Sequence, residues 1–247
     1  MKRYNISFAG AGRVGSAVCT ALYSAGHKIL KVVSETSSRG IPLAESCKAE
    51  WSHELIFPDD TEIIIVAVPD HRLITVLQSL KCSDQTLVVH TAGSFGQEVF
   101  PGRMVNTGVF YPLQTFTSGR NIEFAGLPFL TEANNKNNLK ILDDLAISLG
   151  SGVYHAGSEE RTKLHLAAVI ACNFSNYLLS ESKIITEKAG FSFDILKPLI
   201  EETISKAFAL SPENSQTGPA VRNDFNTMEK HLGLLSYSPQ LQKIYRD

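Results

Sequence analysis

With 247 residues and 43% hydrophobic side chains, the chain can bury a real core and has room for a nucleotide-sized domain plus a smaller partner. Its 23 Lys+Arg against 25 Asp+Glu leave a net charge of −2, which offers no basic field for nucleic acid. The longest apolar runs, Ile63 to Val68 and Leu166 to Cys172, are too short to span a bilayer.

Met1-Lys-Arg leads into a strand and not an apolar leader, so a cytoplasmic protein is expected. Cys19, Cys47, Cys82 and Cys172 are scattered, with no C-x-x-C pair and no His at ligand spacing. They are expected as free thiols in a reducing compartment, with no metal site.

An alternating strand over Tyr4 to Ala9 runs into Gly10-Ala11-Gly12-Arg13-Val14-Gly15, followed by a helix over Ser16 to Ala25. Strand, tight turn and helix N-terminus together make a pyrophosphate site. Gly10 suits the turn, Gly12 lacks a side chain that would block phosphates, and Gly15 lets the helix approach the strand.

A second strand is expected over Lys28 to Ser34, a helix over Gly40 to Cys47, and a short strand around Trp51. In the strand expected over Glu62 to Val68, every residue from Ile63 on is apolar, as in a central parallel strand buried on both faces, and Pro69 ends it. Then come a helix over Leu73 to Leu80, a strand over Thr86 to His90, and strands over Val105 to Tyr111 and Pro128 to Glu132. A helix over Asn137 to Leu149 and an edge strand over Gly152 to His155 complete the alternation, which predicts a parallel sheet covered on both faces.

Beyond residue 157 no strand pattern remains. One long helix is expected over Glu159 to Ala189, ended by Gly190. Ser192 caps a helix that Pro198 should break or restart, Ser211 to Gly218 is a polar loop, and a last helix runs over Pro219 to Leu235. The expected fold is α/β: a doubly wound parallel-sheet dinucleotide domain over 1–157, followed by an all-helical domain over 158–247 for substrate and dimer contacts.

The end of the second strand reads the ribose in such domains. Glu35 lies at the offset of an NAD-type acid, whereas Ser34, Thr36 and Arg39 supply the hydroxyls and guanidinium that hold the 2′-phosphate of NADP, so both cofactors stay open. Ligands in open α/β sheets bind beyond the carboxyl ends of the strands. There, Val68 and Pro69 would border the nicotinamide ribose, Ala92 and Gly93 would approach the nicotinamide, and Ser94 and Gln114 would meet substrate. His90 and Ser94 could each supply a proton or a hydrogen bond, although ordinary turn chemistry explains them as well.

On the long helix, His165, Asn173 and Asn176 are spaced by eight and three, so they are expected on nearly one face. Polar groups on an apolar stretch are costly to bury unpartnered, so either they face a cleft, with His165 as proton donor and Asn173 orienting substrate, or they are a satisfied helix seam. In Gln216 to Asp224, free N–H groups at a helix start and Arg222 could hold a substrate carboxylate. A helix cap involving Asp224 and Thr217 is the alternative there, as is an Asp224–His231 pair.

Six segments in order, Gly10 to Gly15, Val66 to Asp70, His90 to Ser94, Tyr111 to Phe116, Leu164 to Ala168 and Gln216 to Ala220, resemble the bacterial "putative NADP oxidoreductase" family. That family pairs a Rossmann-like domain with a helical domain of unknown function, and is similar to pyrroline-5-carboxylate reductase and the 6-phosphogluconate dehydrogenase superfamily. The resemblance implies a reduced nicotinamide cofactor, a cleft between the domains and a homodimer formed through the helical domain.

Family members carry Ser-Arg-Thr after the second strand, whereas Ser34-Glu35-Thr36 stands here, so Arg39 would have to compensate. The wider superfamily uses a Lys with a nearby Asn on the long helix. Lys163 lies two residues before His165 and points elsewhere, so His165 would have to replace that lysine. The expected activity is NAD(P)H-dependent reduction of a small carbonyl or imine, possibly bearing a carboxylate. The alternatives are an NAD(P)-binding sensor or scaffold without hydride transfer, or use of another hydride carrier such as a deazaflavin.

Overall fold

The computed structural model describes residues 2–246. The chain forms two compact units, Met1–Ser175 and Asn176–Asp247. Among the described residues the first unit is built on an eight-stranded sheet in the order β3-β2-β1-β4-β5-β6-β7-β8. The strands are β1 (Asn5–Ala9), β2 (Lys28–Val33), β3 (Glu50–Ser52), β4 (Ile63–Val66), β5 (Leu87–His90), β6 (Asn106–Pro112), β7 (Pro128–Ala133) and β8 (Gly152–His155). Between them lie α1 (Arg13–Ser24), α2 (Ser37–Ser46), α3 (Asp70–Ser79) and α4 (Lys136–Ser148).

The sheet is mostly parallel, with one correction to the all-parallel expectation. β7 pairs antiparallel with β6, and β8 pairs parallel with β7, so the last two strands oppose the other six. No helix separates β6 from β7, so the chain makes no crossover there and must return along the sheet.

Strand β4 explains why its residues form a central strand. Ile63 and Ile65 point into one core with Phe8, Val18, Leu22, Phe110 and Leu142. Ile64 and Val66 alternate into a second core with Leu73, Leu77 and Val88. A strand covered on both faces has no solvent side, so every position is apolar.

After β8 comes α5 (Ser158–Ala168), then a π-helical stretch over Val169–Phe174, and then α6 (Ser175–Lys188). The long helix expected over Glu159 to Ala189 is thus interrupted by i→i+5 bonding in its middle. Gly190 ends α6 at φ 84°, the left-handed cap its position requires.

The second unit continues with α7 (Lys197–Leu210), the single turn α8 (Pro212–Ser215), α9 (Phe225–Leu234) and α10 (Pro239–Arg246). Ser192 caps a 3₁₀ turn over Phe193–Leu196, and Pro198 sits in the first turn of α7, where it restarts the helix without breaking a bond. α9 begins at Phe225 and not near Pro219, because Asp224 accepts from the Thr227 amide at 3.1 Å and from its hydroxyl at 2.8 Å. α10, missed in the sequence, is tied back by the Gln242 amide donating to the Leu232 carbonyl at 2.7 Å. No described helix is long and apolar enough to cross a membrane.

Candidate functional site

Each fingerprint glycine has a distinct physical reason. Gly10 adopts φ 111°, and a Cβ there would stand 2.3 Å from the Ala67 carbonyl oxygen. A Cβ on Gly15 would lie 2.4 Å from the Gly10 carbonyl oxygen, so α1 could not close on the turn. At Gly12 the same test meets nothing nearer than the Ala67 oxygen at 4.0 Å. No packing contact in the protein demands a glycine there, and the space above the turn is open. Gly12 also starts α1 without a side-chain cap, leaving the first amides free for an anion.

Gly10, Ala11 and Gly12 line a cavity of roughly 360 Å³ together with Ser34, Glu35, Thr36, Arg39, Val68 and Pro69. Separate predictions from three strand ends thus converge on one place. Arg13, Val14, Gly15, Ala92, Gly93, Ser94 and Gln114 do not line it. Arg13 is exposed in the first turn of α1, and Gly15 works by packing.

The β2 end carries a partner that the sequence did not signal. Arg72, in the first turn of α3, lines the same cavity and is ion-paired with Glu35. Thirty-seven residues separate the two, so no local pattern announces the pair. Ser34 is less free than expected. Its hydroxyl donates to the Thr36 carbonyl at 3.1 Å and accepts from Trp51 Nε1 at 3.0 Å. That leaves Thr36, Arg39 and Arg72 as the groups open to a phosphate.

The β5 end separates two histidines. His90 is fully buried, with Nδ1 accepting from the Ala92 amide at 3.2 Å and Nε2 lying 3.3 Å from the Gly96 carbonyl, to which it donates. Burial lowers its pKa to about 4, so it stays neutral and shapes the turn. Of the two readings open for His90, proton donation and ordinary turn chemistry, the geometry favours the turn, because both ring nitrogens are already hydrogen-bonded.

His165, half-buried on α5, instead meets Tyr111 on β6, with Oη 2.9 Å from Nδ1 and the rings edge to face. The close approach at Gly93, expected from nicotinamide, is made by this imidazole, since a Cβ there would lie 2.8 Å from Nδ1. One turn earlier on α5, Arg161 is fully buried. It pairs with Glu132 at 2.7 Å and donates to the carbonyls of Ala156 and Phe95, so α5 is anchored to β7 and to the β5 loop.

The remaining candidates are scattered. Ser94 is exposed, and Gln114 is exposed with its carbonyl accepting from the Thr115 amide at 2.8 Å. Asn173 is exposed inside the π-helical stretch, and Asn176 is exposed at the start of the second unit. The π-helical turn breaks the 100° step that put these residues on one face with His165. On the same helix Leu166, Ile170 and Phe174 are exposed while His165 is sheltered. Arg222 lies exposed in a turn of the second unit, and Asp224 caps α9 by accepting from the Thr227 amide, so that amide is not available to a carboxylate.

A mostly parallel sheet with a glycine turn at its first crossover, followed by helices, defines a Rossmann-like nucleotide domain joined to a helical region. A Rossmann-like domain model matches residues 1–114, and a domain of unknown function (DUF2520) matches residues 127–247. The chain is similar to a "putative NADP oxidoreductase" from Bacteroides fragilis, at 36% identity and TM-score 0.92, over 99% of this chain and 95% of that one. The chain therefore belongs to that family, which joins a Rossmann-like domain to DUF2520.

Its fold is shared with an imine reductase from Pseudomonas sp. at 16% identity and TM-score 0.69, covering 98% of this chain and 90% of that one. It is shared also with a 1-pyrroline-5-carboxylate reductase from Streptococcus pyogenes at 15% identity and TM-score 0.65, covering 99% and 96%. No curated protein matches the sequence.

Proposed function

We propose that the chain is an NAD(P)H-dependent oxidoreductase that reduces a small carbonyl or imine. The supporting observation is the single cavity that takes its walls from the fingerprint turn, the β2 end and the Val68–Pro69 turn. In this reading the amides of Gly12 and the first turn of α1 bind the pyrophosphate, and Val68 and Pro69 border the nicotinamide ribose. The bound nicotinamide would supply the hydride. His165 would supply the proton, whereas the π-helical turn removes the geometric ground for Asn173 orienting the substrate beside it.

Two guanidiniums, Arg39 and Arg72, stand against one carboxylate, Glu35, at the ribose end of the cavity. Because Arg72 already neutralises Glu35, the balance favours NADPH over NADH. The description of the Bacteroides fragilis relative as a "putative NADP oxidoreductase" points the same way. A paired fluorescence titration with NADPH and NADH tests the reading, and NADPH should bind more tightly. Arg72→Ala should then weaken NADPH by about 10-fold or more, a charge-assisted contact being worth about 1.5–3 kcal/mol, and leave NADH nearly unchanged. A preference for NADH would instead make Glu35 the ribose reader. Binding of neither nucleotide would overturn the proposal.

A homodimer through the helical unit belongs to the same proposal. Phe208 is 89% exposed and Leu234 74% exposed in the single chain, and Leu199, Ile204 and Phe225 are exposed as well. Apolar surface on this scale is the mark of a covered face.

A further inference from the structure

Three segments distant in sequence meet at the imidazole of His165. Tyr111 comes from β6, Gly93 from the turn after β5, and His165 from α5. Tyr111 Oη is 2.9 Å from His165 Nδ1, and the ring centroids are 6.0 Å apart at 73°. A Cβ on Gly93 would stand 2.8 Å from Nδ1, 2.9 Å from Cγ and 3.1 Å from Tyr111 Cζ. The pair therefore fits only over a glycine. We propose that Tyr111 is a positioning residue that holds His165 Nδ1, so that before transfer Nε2 is the protonated nitrogen presented to a ligand. The proposal rests on the reading of His165 as the proton donor.

A hydroxyl can serve both states of the ring, because it donates one hydrogen bond and accepts others. Burial, with Asp70 nearby, raises the Tyr111 pKa, so the phenol keeps its proton. Against a neutral ring, Tyr111 O–H donates to Nδ1, and the ring proton sits on Nε2. Against an imidazolium, Nδ1–H donates to Oη, and Nε2 keeps its proton.

On transfer from the imidazolium, the Nε2–H bond breaks and its electron pair stays on nitrogen. The proton forms a new bond at the oxygen or nitrogen of the group that accepts hydride from the nicotinamide. The ring is left neutral with its proton on Nδ1, where Tyr111 accepts it. A phenylalanine could do neither job, and an acid or an amide would serve one state only.

The test is the imidazole nitrogen spectrum of the ¹⁵N-labelled full chain, at a pH where the rings are neutral. Seven histidines are present, so His165→Gln identifies the signals of interest. The wild-type ring should show an unprotonated, hydrogen-bonded Nδ1 and a protonated Nε2. Tyr111→Phe should shift Nδ1 downfield, toward a free acceptor, and Gly93→Ala should do the same by displacing the ring. NADPH affinity should stay within about twofold in Tyr111→Phe, because Tyr111 does not line the nucleotide cavity.

In the neutral wild-type ring with no ligand added, a proton on Nδ1 in place of Nε2, or an Nδ1 signal unmoved by Tyr111→Phe, would overturn the proposal. The nucleotide titration is a separate readout. Failure to bind NADPH or NADH would remove the reductase reading, while the spectrum would still report whether Tyr111 holds the ring.

Discussion

The two compact units treat their apolar side chains in opposite ways. In the first, Ile6, Phe8, Phe110 and Phe129 are completely buried by strands and by helices lying against the sheet. Among the described residues of the second, only Leu232, Leu235 and Leu241 count as buried hydrophobics, while α7 alone displays Leu199, Ile204, Phe208 and Leu210. A doubly wound sheet closes its own cores because each crossover puts a helix on a face. A few helices with apolar groups all round leave many of them exposed, and the proposed homodimer would cover that surface.

That contrast can be broken by mutation, and the largest effect should come from the sheet. Phe110→Ala should cost about 3–5 kcal/mol in urea unfolding, the usual loss for a buried phenylalanine. Phe208→Ala should cost an isolated chain less than about 0.5 kcal/mol. Its signature should instead be a fall in native mass from a dimer toward the 27.0 kDa of one chain, read by light scattering. Equal losses of stability from the two substitutions, at any protein concentration, would mean that α7 closes a core of its own.

A smaller effect separates the units by pH. His90 has its pKa lowered by burial to about 4, against about 6.5 in the unfolded chain. Between those values the unfolded ring takes up a proton that the native ring refuses, so stability is lost as pH falls. From pH 7 to pH 5 this amounts to about 2 kcal/mol, and replacing His90 by Gln should remove that part of the slope. An unchanged slope would mean that other groups set the acid sensitivity.

The smallest effect belongs to the second unit. Asp224→Ala should cost about 1 kcal/mol through loss of the α9 cap, and amide exchange should rise in the first turn of α9 alone. Protection lost across the sheet as well would break the separation of the two units.

Parts of the site were legible because they are local. Gly10, Gly12 and Gly15 act within one turn, and the β2 end follows the fingerprint at a spacing set by one helix and one strand. Asp224 was legible only as a possibility, because a cap is read three residues ahead and Thr227, not Thr217, supplies the amide. Arg72, Tyr111 and Arg161 were not legible as site residues. Each acts on a residue 29 to 66 positions away, and no short-range pattern encodes such a meeting.

By itself, the sequence determined the strand–helix alternation, the glycine turn and the change to helices, since backbone preference and apolar period are properties of neighbouring residues. Tertiary structure alone decided that the last two strands reverse and that a π-helical turn breaks the long helix. It also decided that His90 is spent in the core while His165 is held by Tyr111. Those outcomes depend on which surfaces meet: two histidines differ in role because one is buried at the end of a strand and the other stands half-buried on a helix.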